Sequence, residues 1–283
     1  MKLPWMAAIA AASILVPLES AFAQEPPGVR RAWTPEAEQS RAGVEVDFLH
    51  DTIHGGDHDL SVNLVTADLT AQIGVTKHVF IDADIPTAVL ATTDITESMF
   101  GNPFLGAHYA GRFDRRTSGY VGASFGLPLA RASTSGDTYQ LGAEASVTRA
   151  FHDPGHFIPY ALPVAVRGGL ELDLAPVIFQ MEVSPGMVFG QPVGRAVGYV
   201  DTSASAAIRA RFGLEGGLRV QTTFLIDNGD DHAQTALEPF VGYATPERVG
   251  LYARYGLLVP IDEPLGFGGS NYVTHRFSLG AKF

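Results

Sequence analysis

Cysteine is absent from this chain of 283 residues, so neither a disulfide framework nor a thiolate metal site can be built. Long apolar runs are equally scarce. The stretch from Trp5 to about Pro17 is shorter than the roughly 20 residues a spanning helix needs, and no longer run follows it. A mean hydropathy of +0.11 is far below that of a helical membrane protein. Positive charge is in deficit: 19 Lys and Arg stand against 30 Asp and Glu, a net charge of −11 that argues against a nucleic-acid partner.

The N-terminus carries the marks of export. Lys2 precedes the apolar stretch, and Ala21-Phe22-Ala23 is a small-x-small cleavage site before Gln24, which together read as a secretory signal peptide over residues 1–23. Its removal leaves the charge unchanged, since Lys2 and Glu19 leave together. Residues 24–41, rich in Pro and Glu, read as a disordered periplasmic lead-in. The remainder, 42–283, suits one domain.

That remainder alternates. In the final stretch Val273, Phe277, Leu279, Ala281 and Phe283 share one face, and Thr274, Arg276, Ser278, Gly280 and Lys282 share the other. Leu69 to Val75, Val79 to Ile85, Val121 to Leu127, Leu141 to Val147, Val200 to Ile208 and Leu251 to Leu257 repeat the pattern. One greasy face and one polar face per strand, over many strands, fit a closed barrel in a bilayer, which also pairs every backbone donor and acceptor. Short links (Thr76–His78, Phe113–Thr117, Phe212–Gly217, Ala244–Arg248) alternate with longer polar ones (His50–Asp59, Ala88–Gly101, Arg131–Asp137, Asp227–Gln234, Pro260–Ser270). The expected fold is an all-β, up-and-down antiparallel transmembrane β-barrel of about twelve strands, with fourteen as the alternative. Thirteen strand candidates are counted, an odd number: either Val164 to Leu174 and Val177 to Phe189 form one long, bent strand, or a partner is missed near Phe157 to Ala161.

Two resemblances sharpen this. The ending with Phe277, Leu279 and Phe283 resembles the C-terminal β-signal of bacterial outer-membrane barrels, which implies the barrel-assembly machinery and outer-membrane lipid as partners. Gly101-Asn102-Pro103-Phe104-Leu105-Gly106, with the Leu-Pro end at Leu127-Pro128 and Ile-Pro at Ile85-Pro86, resembles the outer-membrane barrels of the phenol-degradation (MetA-pathway) type. The resemblance covers about Val79 to Leu129 and implies a channel for a small molecule, hydrophobic or aromatic. The family pattern continues with Thr-Gly after Leu-Pro, where this chain has Leu129-Ala130. A structural barrel with a filled lumen is the alternative function.

Parity assigns the lumen. Glu45, Asp47, Asp82, Asp84, Glu144, Glu171, Asp173 and Glu182 face inward from the earlier strands, opposed there by Arg112 and Arg167. Arg209, Arg211, Arg219, Arg254, Arg276 and Lys282 face inward from the later ones, with Asp201 and Glu238. The expectation is an acidic wall facing a basic wall: either a transverse field across a pore or charges that pair and fill it. The segment His50 to Asp59, with His50, His54 and His58 among its carboxylates, is a candidate zinc-type loop. No cofactor is otherwise implied. Enzyme activity is not expected: His108 with Ser124, or His275 alone, makes no evident nucleophilic set.

Overall fold

The computed structural model describes residues 40–55, 58–92, 96–132, 138–190, 196–210, 212–226, 232–245, 249–262 and 272–283. The expected signal peptide and nearly all of the lead-in lie outside these residues. Arg41, counted above as the end of the lead-in, already pairs with both Lys282 and Gln72.

Fourteen strands appear in chain order. They are β1 (Arg41–Gly55), β2 (His58–Gly74), β3 (Val79–Ala91), β4 (Thr96–Phe100), β5 (Phe104–Arg112), β6 (Thr117–Gly126) and β7 (Arg131–Ala132). After one helix, α1 (Thr138–Val147), follow β8 (Ala161–Leu174), β9 (Val177–Gly190), β10 (Val197–Arg209), β11 (Leu214–Ile226), β12 (His232–Ala244), β13 (Gly250–Pro260) and β14 (Thr274–Lys282). All pairings are antiparallel, and pairing of β1 with both β2 and β14, together with β2 on β3, closes a ring of twelve. The short strands β4 and β7 stand outside the ring: β4 pairs the far end of β3 from Thr87 to Ala91, and β7 pairs β4.

Two expectations are corrected. Leu141 to Val147, expected as a strand, lies in α1, and this removes the thirteenth candidate; Val164 to Leu174 and Val177 to Phe189 are the separate strands β8 and β9. The segment satisfies both periods, since Leu141 and Ala145 also stand four apart on a helix face. Propensity decides for helix: Gln140, Leu141, Ala143, Glu144 and Ala145 favour it and only Val147 is β-branched. The second correction concerns His50 to Asp59, expected as a loop. β1 and β2 instead run on as one hairpin, with His54 opposite Asp59 and Gly55 opposite His58.

The outer surface is apolar. Leu69, Ile81, Val121, Leu170, Met181 and Leu251 are all at least half exposed, each on a face whose strand neighbours are more buried. Phe277, Leu279 and Phe283 join them. No described helix is long and apolar enough to cross a membrane. The last residue meets the start of β1 beside the short turns, where Phe283 N–H donates to Ser40 O (3.0 Å).

One such turn, 113–116, is held by Asp114. Its Oδ1 accepts from the N–H groups of Arg116 (2.6 Å) and Thr117 (2.7 Å), and Oδ2 accepts from Thr117 Oγ1 (3.2 Å). These backbone hydrogen bonds hold the exposed Asp114 carboxyl below its usual pKa. A depressed native pKa stabilises the fold above the unfolded value, about 3.9 for aspartate, and that contribution fades as pH falls through the native value. Asp114→Asn is therefore expected to unfold at slightly lower urea than the parent at pH 7, with the difference closing as the medium becomes strongly acidic. Midpoints measured for the two proteins across that range check it.

Candidate functional site

The lumen is crossed by the chain between β7 and β8. Leu141 and Ala145 of α1, with Phe157 further on, are buried against Ala88 of β3 and Met99 of β4. Ala150 is buried against Ala236 of β12 and Leu258 of β13. Polar ties fan out to other walls. Thr148 hydroxyl meets Thr66 of β2 (3.2 Å), Arg149 pairs with Asp68 of β2, and Gln221 of β11 donates to the Arg149 carbonyl (3.1 Å). Asp153 N–H donates to Asp201 of β10 (3.2 Å), and Asp153 carboxylate pairs with Arg167 of β8 (3.3 Å). β2 and β11 lie nearly opposite in the ring, so this inner segment bridges the barrel.

The Gly-Asn-Pro motif is the anchor of that segment. Asn102 is fully buried; its side-chain amide donates to the carbonyls of Gly155 (2.9 Å) and Ile158 (2.8 Å), and its Oδ1 accepts from Ala130 N–H (2.9 Å). Asn102 N–H donates to His156 O (2.7 Å). At Gly101 any Cβ would stand 2.7 Å from that same His156 carbonyl and 2.8 Å from Pro86 Cγ, so only glycine lets the backbones approach. The segment is also strained. Among the described non-glycine residues, positive φ occurs at Ala150, Phe151, Asp153 and Tyr160, all within it. Such conformations cost on the order of 1–3 kcal/mol each and persist where surrounding contacts hold them.

The inward charges make lateral ion pairs along the wall. Where β14 meets β1, Arg276 is 2% exposed and clasps Asp47 through Nε (2.7 Å) and Nη2 (3.1 Å). It also reaches Glu45 (3.4 Å) and Glu238 (3.5 Å). Glu238 in turn pairs with Arg254 and lies 3.7 Å from Arg219, while Arg209 pairs with Glu215 (3.3 Å). The inward residues thus form a lateral network along one side. Arg112 has inward parity but sits exposed at the end of β5 beside a short turn, and Glu144 is on α1 rather than on the wall. Arg211 and the side chains of His54 and His58 lie outside the described ones; His50 is exposed and bonds Asn63 (2.8 Å).

Opposite that network is a cavity of about 130 Å³, lined by Asp82, Asp84, Phe104, His108, Tyr120, Ser124 and Arg167 among others. His108 Nδ1 is 2.6 Å from Asp82, and its ring stacks on Phe80 (5.1 Å between centroids, 8° between planes). Gly122, opposite His108, leaves room for it: a Cβ there would be 2.5 Å from His108 Cβ. His108 Nε2, Ser124 Oγ, Arg167 Nε and Asp84 Oδ1 are buried with no hydrogen-bond partner in the protein. His108 and Ser124 therefore do not bond one another, and the nucleophile–base contact of a hydrolase is not formed.

No protein family and no curated protein matches the chain in sequence. Solved structures match in shape. The COG4313 outer membrane channel from Pseudomonas putida F1 superposes with a TM-score of 0.57 at 10% identity, over 88% of this chain and 99% of that one. The fold is that of a bacterial outer-membrane β-barrel. The NanC porin (TM-score 0.46, 11% identity, 86% of this chain and 98% of that one) and the NalP translocator domain of Neisseria meningitidis (0.47, 8%, 88% and 89%) are looser matches. At 10% identity the likeness to the first of these is one of fold alone.

Proposed function

We propose that this outer-membrane barrel is a passive conduit for a small molecule that carries a flat ring and a polar group. The unsatisfied lumenal cavity carries the reading. A buried polar atom without a partner costs about 1–3 kcal/mol, and four of them around one space are what a packed structural core avoids. A polar permeant, or water, satisfies them in turn. The rings of Phe104, His108 and Tyr120 line the same space and suit an aromatic solute. Arg167, beside the cavity, suits a carboxylate or phenolic oxygen on that solute. Arg276, Arg254 and Arg209 are paired with Asp47, Glu238 and Glu215, so that part of the wall supplies structure more than a field. No chemistry beyond binding and passage is assigned to the barrel.

A filled, structural barrel is favoured by the ties of the inner segment to several walls, and permeation separates the two. In liposome swelling with the refolded mature protein, benzoate and phenol are expected to enter faster than sugars of similar size. Equal rates for all solutes would overturn the aromatic preference. Absence of any influx, in both the parent and a variant with the inner segment loosened, would overturn the conduit.

A further inference from the structure

We propose that Asp68, Asp84 and His156 form a binding site for a divalent metal ion of the zinc class, which fastens the inner segment to the barrel wall. One donor atom from each lies within 4.8 Å of the other two. The three come from β2, β3 and the inner segment, so an ion there would join elements that the chain places far apart.

The hydrogen bonds around His156 call for an added positive charge. Its Nδ1 faces the Asp153 carbonyl at 3.0 Å, and its Nε2 faces Asp84 Oδ2 at 2.8 Å. Both partners are acceptors. A neutral imidazole has one N–H and can satisfy only one of them, so the second contact needs a proton or a metal ion between nitrogen and carboxylate. The Asp153 carbonyl fixes the N–H on Nδ1 and points the Nε2 lone pair at the carboxylates, which is how a ligating histidine is oriented. Asp68 is held in the same manner. Arg149 takes its Oδ2, and its Oδ1 is left buried with no partner. Asp84 Oδ1 is likewise unpartnered and borders the lumenal cavity, which gives an ion with three protein ligands room for a fourth from solvent. Asp68 is 4% and His156 1% exposed, so the set is preorganised and shielded.

Charge is consistent with this. Arg149 pairs with Asp68 and Asp153, Arg167 pairs with Asp153, and Asp84 faces His156, so three carboxylates stand against two guanidinium groups. One imidazole and two carboxylates suit zinc and its neighbours better than calcium or magnesium.

The test uses the refolded mature chain in detergent micelles, with His50, His54 and His58 all changed to Gln so that the β1–β2 hairpin cannot contribute. Isothermal titration with Zn²⁺, and with Co²⁺ followed by its visible spectrum, is expected to show one ion per barrel. His156→Gln and Asp84→Asn should each weaken binding by more than the roughly 10–100-fold that loss of an outer partner costs. Retained heat-modifiable gel migration confirms that each variant is folded, and Asp68→Asn serves where one is not. Absence of binding at millimolar metal and pH 7.5, or binding undiminished in folded variants, overturns the site.

Discussion

Substituting leucine for Asn102 is expected to raise the single-channel conductance of the barrel several-fold. The leucine has nearly the shape of asparagine and no polar atoms. Its introduction strands the carbonyls of Gly155 and Ile158 and the N–H of Ala130, all of which Asn102 serves from a fully buried position. Each stranded group costs about 1–3 kcal/mol, and release of the inner segment to water removes the cost. The left-handed residues Ala150, Phe151, Asp153 and Tyr160 push the same way, since release relaxes them. The wall itself keeps its pairing, because Asn102 lies between β4 and β5 and is in neither. The absence of native cysteine gives a clean second readout. Thr148→Cys, fully buried in the parent, should resist a membrane-impermeant maleimide there and react with it when Asn102→Leu is added. Unchanged conductance together with unchanged labelling would show that the segment is held by other contacts.

Arg276→Met is expected to have the largest effect on stability, about 3–5 kcal/mol, as loss of one member of a buried charge network does. Methionine fills the stem of the arginine but leaves Asp47, 2% exposed, without its two guanidinium contacts. Glu45 loses an ion partner as well, whereas Glu238 keeps Arg254. The urea midpoint of unfolding from lipid vesicles measures the change. Adding Asp47→Asn to Arg276→Met should recover part of the loss, since the cost lies in the uncompensated carboxylate more than in the missing attraction. A double variant as unstable as the sum of the two single ones would show instead that the two residues act independently.

How much of this was legible beforehand follows from the range of the forces. The wall was: Phe277 and Leu279 outward with Arg276 and Ser278 inward is a local, period-two pattern, and burial agrees residue by residue. The inner segment was not. Leu141 to Val147 reads as well with one period as with the other, and its placement depends on Met99, Ala88 and Phe157 from three other elements. The candidate metal set was hidden for the same reason. Asp68 carries the inward parity of Thr70 and Gln72, but His156 and Asp84 are 72 residues apart, and no spacing in the chain announces that they meet. His50, His54 and His58 were conspicuous because they are close in sequence. On paired strands, however, residues four apart on one strand are separated by about 13 Å, which takes His50 and His54 away from each other. Asn102 was legible as a motif residue and illegible as a mechanism, since the two carbonyls it serves lie more than fifty positions further on.

The seam between β1 and β14 joins Asp47 to Arg276 across 229 positions of chain. Until that seam forms, the molecule is a curved sheet with two open margins, each able to recruit a neighbouring polypeptide. Its closing is the most distant contact in the fold and therefore a slow step of maturation. The arginine that neutralises the buried aspartate arrives only then, so Asp47 and Glu45 keep their charges against water until the seam closes.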